Sequence, residues 1–146
     1  MKEMTKQEVQ NFLMAGTLTG KVATSRKDGV PHVVPVWFIL DNDANIIFAT
    51  GKQSAKGRHL LRDPRVCFSV DDQAPPFSFV MIEGTGEIDQ EPDKGEILKW
   101  ATKIAERYVG SEAAIAHGKE IAALDGAMLV KIKPTKIIAQ KDMMLH

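Results

Sequence analysis

The sequence has 146 residues, 44% of them hydrophobic, and its 19 Lys and Arg balance 19 Asp and Glu for a formal net charge of zero at pH 7. A protein that binds nucleic acid by phosphate neutralisation carries a basic excess, so no nucleic-acid partner is expected. The lone Cys67 excludes an internal disulfide and a paired-cysteine zinc site, and the longest apolar-rich run, Val33–Leu40, is too short to span a membrane.

The start of the chain is mixed and polar, without the apolar stretch of a secretory signal. One cytoplasmic domain over residues 1–146 is the expectation. Thr5 and Glu8 have capping-box spacing, and Val9, Phe12 and Leu13 give one apolar face. They predict a helix over Lys6–Met14. A β-rich block follows, with a strand over Lys21–Ser25 and a Lys27-Asp28-Gly29 hairpin turn. A second strand is expected over Pro31–Leu40. Pro35 inside it lacks a ladder donor, which predicts an edge position or a bulge. Asp41–Asn45 reads as a turn and Ile46–Thr50 as a third strand.

A short helix is expected over Ala55–Arg62, stopped by Asp63-Pro64 because the residue before proline leaves the α region. Strands follow over Arg65–Val70 and Phe77–Ile88, the second marked by Gly84 and Gly86 for a bulge or close approach. Pro92-Asp93 opens a helix to Val109 with Ile97, Ala101, Ile104 and Tyr108 on one face. Gly110 closes it, and Ser111 is read as the cap of another short helix. Ala127–Ile132 and Thr135–Ala139 are read as two closing strands. The expected fold is mainly β with some α: six to seven antiparallel strands in a split β-barrel with flanking helices.

The strongest local anomaly is a basic cluster. Between Thr50 and Val66 lie Lys52, Lys56, Arg58, Arg62 and Arg65 against Asp63 alone, a net of +4 that leaves −4 for the rest of the chain. Gly51, Gly57, Thr50 and Ser54 bring small residues and hydroxyls to the start of the short helix. Orphan amides and the helix dipole favour an anion there. A solvated helix face is the competing reading. On the second strand, Pro35, Val36 and Trp37 offer a surface for a flat ring, or Trp37 and Phe38 belong to the core. The histidines, His32, His59, His117 and His146, show no ligand spacing, so no metal site is expected. Only His59, inside the basic cluster, has a ligand-facing place, with plain surface exposure as its alternative. No P-loop, Rossmann or nucleophile-elbow motif occurs.

The stretch Phe48–Val66, with Ser54-Ala55-Lys56-Gly57-Arg58-His59 at its centre, resembles the phosphate-binding strand, loop and helix of the pyridoxamine 5′-phosphate oxidase-like split β-barrels. Gly29–Trp37 is similar to that family's ring-bearing strand, and Phe77–Ile88 to its long central strand. Where many FMN-binding members carry Arg, this sequence has Ala55. The Lys141–His146 end does not resemble the Arg- and His-bearing substrate segment of true pyridoxamine phosphate oxidases, so their reaction is not expected. Ala-Lys-x-Arg followed by Leu-x-Arg-Asp-Pro-Arg is similar to the flavin/deazaflavin oxidoreductases, group B.

That resemblance implies an oxidoreductase using the 8-hydroxy-5-deazaflavin coenzyme F-420, with FMN as the alternative cofactor. It implies hydride transfer to an electron-poor small molecule, and a homodimer with cofactor sites between subunits. Lys56 would be the main phosphate ligand, helped by Lys52, Ser54 and Thr50 around Ala55 and Gly57. Arg58 and His59 would sit at the mouth, with Arg58 toward an acidic coenzyme tail. The backbone of Val34, Pro35 and Val36, beside Trp37, would contact the ring. Phe77 and Phe79 would approach from the partner subunit or an adjacent strand. No catalytic acid or base is assigned. A non-catalytic cofactor-storage or haem-handling barrel is the alternative from another class.

Overall fold

The computed structural model describes residues 2–144, so His146 lies outside the described residues. The elements are β1 (Lys2–Glu3), α1 (Lys6–Leu13), β2 (Gly20–Ser25), β3 (Pro31–Val36), β4 (Ile39–Leu40), β5 (Ile46–Gly51), α2 (Ala55–Arg62), β6 (Arg65–Asp72), β7 (Ser78–Asp89), α3 (Lys94–Val109), α4 (Ser111–Ala123) and β8 (Ala127–Lys141). The Thr5 capping box forms as expected: Glu8 N–H donates to Thr5 Oγ1 at 3.2 Å, and Thr5 N–H donates to Glu8 Oε1 at 3.0 Å. Lys141 reaches back from the end of β8 to the Glu8 carboxylate. That ammonium and the Thr5 amide hold the Glu8 carboxyl down at about 2.

All pairings are antiparallel, in the order β3-β2-β6-β7-β8-β5-β4, with β1 on β8. The two ends of this path, β3 and β4, are joined in the chain by Trp37 and Phe38 alone. The sheet therefore curls back on itself, and the seam is spanned by a corner of backbone in place of a ladder. This is the split half-barrel, with six long strands and two of two residues each among the described residues. Val22, Phe48, Phe68, Val70, Val80, Ile82, Val130 and Ile132 fill its interior, all essentially buried. Pro35 lies on the edge strand β3, where its missing N–H interrupts no central ladder.

Three element readings change. The expected strand Pro31–Leu40 breaks after Val36, because the corner that closes the seam falls at Trp37-Phe38. The two expected closing strands are one, β8. Pro134 is tolerated inside it because the β5 pairing ends at Ile132 and the β7 register slips there, with Gly84 facing Pro134 and Glu83 facing Lys136. A Cβ on Gly84 would lie 2.5 Å from the Lys133 carbonyl oxygen, so the strands close tightly at that slip. Finally, α4 is a 13-residue helix, and its N-cap is Gly110 at φ +84° while Ser111 is its first residue. Among the described residues, no helix is long and apolar enough to cross a membrane, which does not address crossing by strands.

Candidate functional site

The seam of the barrel is covered by the start of α2 on one side and by the α3–α4 pair on the other. α2 has the bounds expected from sequence because both of its signals are local. Ser54 Oγ accepts the Gly57 amide at 3.1 Å, and Asp63 ends the helix while gripping the Arg65 guanidinium at 2.8 Å. Arg65 and the bonds it makes hold the Asp63 carboxyl at about 2.

The Ser54 hydroxyl is fully used. It donates to the Gly51 carbonyl at 2.8 Å, accepts the Gly57 amide, and lies 2.9 Å from Thr50 Oγ1. With the Ser54 proton committed to Gly51, the Thr50 hydroxyl is the donor in that last bond. Thr50 is buried. Both hydroxyls therefore fasten α2 to the end of β5. Gly57 serves the same junction, since a Cβ there would sit 2.1 Å from the Gly51 carbonyl oxygen. The amides of Ala55 and Lys56, in the first turn, have no intrahelical acceptor to reach.

Lys56 is half-buried, and burial alone pushes its ammonium pKa below the ordinary value. It lines a cavity of about 190 Å³ with Pro35, Val36 and Trp37. The two features singled out in the sequence, the basic helix start and the Pro35–Trp37 segment, thus meet in one groove. Ala49 forms its floor from β5, and Ala101, Ile104, His117 and Ile121 supply its far wall from α3 and α4. Trp37 and Phe38 part company at the corner. Phe38 is fully buried against Phe68, ring centroids 5.0 Å apart, whereas Trp37 stands at the groove, stacked 5.0 Å from Tyr108 at an interplanar angle of 9°.

Other expected site residues lie elsewhere. Lys52 bonds through its amide to Gly126 and extends its ammonium to within 3.6 Å of Glu91, lining a different recess. Val34 packs against the main core from β3. Phe77 lies in the loop before β7, and Phe79 is paired between Asp71 and Gln140; neither lines the Lys56 groove within one chain. Arg58 faces a second, shallow basic groove of about 570 Å³ with Arg26, Lys27, Asp28, His59 and Arg62.

His59 is buried, contrary to the surface alternative, with Nδ1 2.9 Å from Thr24 Oγ1 and its ring edge-on to His32 at 5.1 Å. Burial first, then the charges of His32, Arg62, Arg58 and Arg26, lowers its pKa. It therefore pins α2 to β2 as a neutral ring. A larger apolar recess of about 490 Å³, lined by Val9, Leu13 and Ile138, shares no residue with the Lys56 groove.

Sequence reasoning missed the far wall. Tyr108 donates its hydroxyl to the Leu18 carbonyl at 3.0 Å and receives the Phe38 amide at 3.2 Å, which fixes the ring on which Trp37 stacks. Its signal in the sequence is the apolar face of α3, which marks it for packing and not for the groove. His117 carried no signal, because nothing in α4 says which helix face meets Lys56.

An antiparallel sheet curled to a seam, with a helix start and an edge strand meeting there, defines the class of the protein as a split β-barrel. A family model described as pyridoxamine 5′-phosphate oxidase matches residues 5–141, and the chain belongs to that oxidoreductase family. It is similar to a 5a,11a-dehydrotetracycline/5a,11a-dehydrooxytetracycline reductase of Streptomyces rimosus, 36% identical over 74 residues. That match covers 49% of this chain and 47% of the relative, so the chain spans about half the relative's length. Among solved structures, a conserved hypothetical protein of Mycobacterium tuberculosis superposes with a TM-score of 0.81 at 25% identity, covering 100% of this chain and 94% of that one. A structure described as an F420 reductase superposes with a TM-score of 0.62 at 25% identity, covering 87% and 94%.

Proposed function

We propose that the protein is a reductase that holds coenzyme F-420 at the barrel seam, with Lys56 on the coenzyme phosphate and the β3 edge along the ring. The observation that carries this is Lys56 itself. It is a half-buried cation with burial as the sole cause of its shift, and among the described residues no carboxylate compensates it. A buried cation without a partner is costly, and an anionic ligand removes the cost. The free amides of Ala55 and Lys56 add donors on the same helix start. Ser54 and Thr50 keep that start in place through the bonds described above. The donor set thus suits a phosphate-bearing coenzyme.

When bound, a deazaflavin supplies hydride chemistry toward an electron-poor small molecule. The chain's own residues would neutralise the phosphate, present the Val34–Val36 backbone to the ring and exclude water with Trp37, Ile104 and Ile121. Arg58, Arg62, Arg26 and Lys27 would meet an acidic tail in the second groove. At about 190 Å³ the Lys56 groove accepts only part of such a ligand. A homodimer, with Phe77 and Phe79 of a second copy near the ring, would complete the site. FMN is the second reading, because its phosphate presents the same handle to Lys56. The similarity to proteins described as reductases and as an F420 reductase supports the first. Side-by-side fluorescence titration with F-420 and FMN tests it. Tighter binding of F-420 is expected, a preference for FMN moves the protein to the second reading, and binding of neither rejects both.

A further inference from the structure

The groove has a second polar side chain that the cofactor reading leaves without a task. His117 is half-buried on α4 and lines the same small cavity as Lys56, with its ring 5.3 Å from Trp37 at an interplanar angle of 46°. Trp37 in turn is held by Tyr108. The three rings thus run one against the next, and the last of them lines the groove.

The position of His117 is set by the backbone beside it. A Cβ on Gly118 would lie 2.0 Å from Thr102 Oγ1, so α4 touches α3 at the next residue with no room for slack. Ala114, one turn earlier, is fully buried in the same seam. A side chain placed so rigidly in a groove that is apolar apart from Lys56 is poised to act on whatever the groove holds.

We propose that His117 is a ligand-contacting residue of the Lys56 groove, whose protonated ring joins Lys56 in holding the ligand's anionic group. This rests on the reading that the groove binds a phosphate-bearing coenzyme. The charged surroundings of the ring are few. Among the described residues, Lys56 from α2 is the one charged side chain lining the cavity with it. From α3 and the corner it meets Trp37 and, behind that, the Tyr108 phenol, whose pKa burial raises so that it stays neutral. β3 and β5 present Pro35, Val36 and Ala49. On α4 itself, Glu120 is one turn further on. With an anion in the groove, a protonated imidazole gains a partner, so its protonation and ligand binding reinforce each other.

The test measures dissociation constants of F-420 and FMN between pH 5.5 and 8 for wild type, His117→Gln and Lys56→Met. Proton NMR follows the assigned His117 C2–H resonance with and without the ligand that binds. Relative to His117→Gln, wild-type affinity is expected to rise about 5-fold as pH falls through the imidazole range, and the His117 titration midpoint to move upward in the complex. Coincident pH profiles, or an unmoved midpoint in the complex, overturn the inference. The midpoint is read on wild-type protein, so it decides even if His117→Gln fails to fold. If Lys56→Met binds as wild type does, the Lys56 reading itself fails. If Lys56→Met weakens binding while His117→Gln follows wild type, only the His117 inference falls. Absence of binding by wild type overturns both.

Discussion

Lys56 and Arg107 are both half-buried cations whose pKa values are lowered mainly by burial, and among the described residues neither has a carboxylate beside it. Their surroundings are otherwise opposite. The Arg107 guanidinium donates to the carbonyls of Leu13 at 2.7 Å, Phe38 at 2.9 Å, Gly16 at 3.0 Å and Ala15 at 3.3 Å. Its planar face lies 4.6 Å from the Phe38 ring centroid. Four carbonyls and an aromatic face replace the water it lost, and the end of α1 is tied to the barrel corner in return. Lys56 has burial without replacement. The difference separates a cation that the fold consumes from one that, on the proposed reading, is left for a ligand.

The largest expected effect breaks the consumed one. Arg107→Ala strands the carbonyls at the end of α1 and at the corner. It should lower unfolding free energy by about 3 kcal/mol, read by urea denaturation. Arg107→Lys should recover little of this, because a point charge cannot reproduce the fork. A loss below about 1 kcal/mol would place Arg107 with the exposed surface cations and remove the contrast.

Lys56→Met makes the complementary change. Ligand binding should weaken by about 1.5–3 kcal/mol, the worth of one charge-assisted contact, as measured by titration. Stability should be unchanged or higher. The charged form is disfavoured in the folded state, so this lysine subtracts from stability at neutral pH and the subtraction fades as pH rises through its lowered pKa. A drop in melting temperature for Lys56→Met would show that the fold does use this cation.

These contrasts also mark what could be read from the sequence alone. The bounds of α2 were legible because Ser54 and Asp63-Pro64 act within a few residues, and the edge position of β3 because Pro35 has no amide. β8 was read as two strands because Pro134 is excused only by its tertiary setting, beyond the last β5 pair and opposite Gly84. α4 was misjudged at its start, since a glycine cap leaves no side-chain signal. Of the site, the Lys56 and Pro35–Trp37 halves were visible as charge and as β-pattern. The far wall was not, because Tyr108 meets Trp37, and His117 joins the cavity that Lys56 lines, only after the α3–α4 pair folds over the seam.

Ser54 tests whether the Lys56 side of the comparison is held by the cap. Ser54→Ala removes the acceptor for the Gly57 amide and the link to Thr50. It should cost about 1 kcal/mol of stability, with Ser54→Gly costing less. If binding also falls, the hydroxyl acts through the placement of Lys56. A Ser54→Ala protein of unchanged stability would mean that the Gly51–Gly57 contact alone docks the helix.

The smallest expected effect concerns a third buried base, His59, which stands between the two cases. One ring nitrogen is satisfied by Thr24, but the charges around it, Arg58 and Arg62 on α2, Arg26 on the hairpin and His32 on β3, oppose a proton. Its folded pKa lies below the unfolded value, so the unfolded chain binds the extra proton as pH falls through the ordinary histidine range. Stability from this group is therefore full at neutral pH and declines as pH drops below about 6.5 toward the lowered pKa. Melting temperature should rise from pH ~5 to ~7 in the wild type and rise less steeply in His59→Gln. Equal slopes would mean that the ring is free to take up a proton in the folded protein. Its Nδ1–H could still donate to Thr24 Oγ1, so the pin between α2 and β2 would then be a charged one.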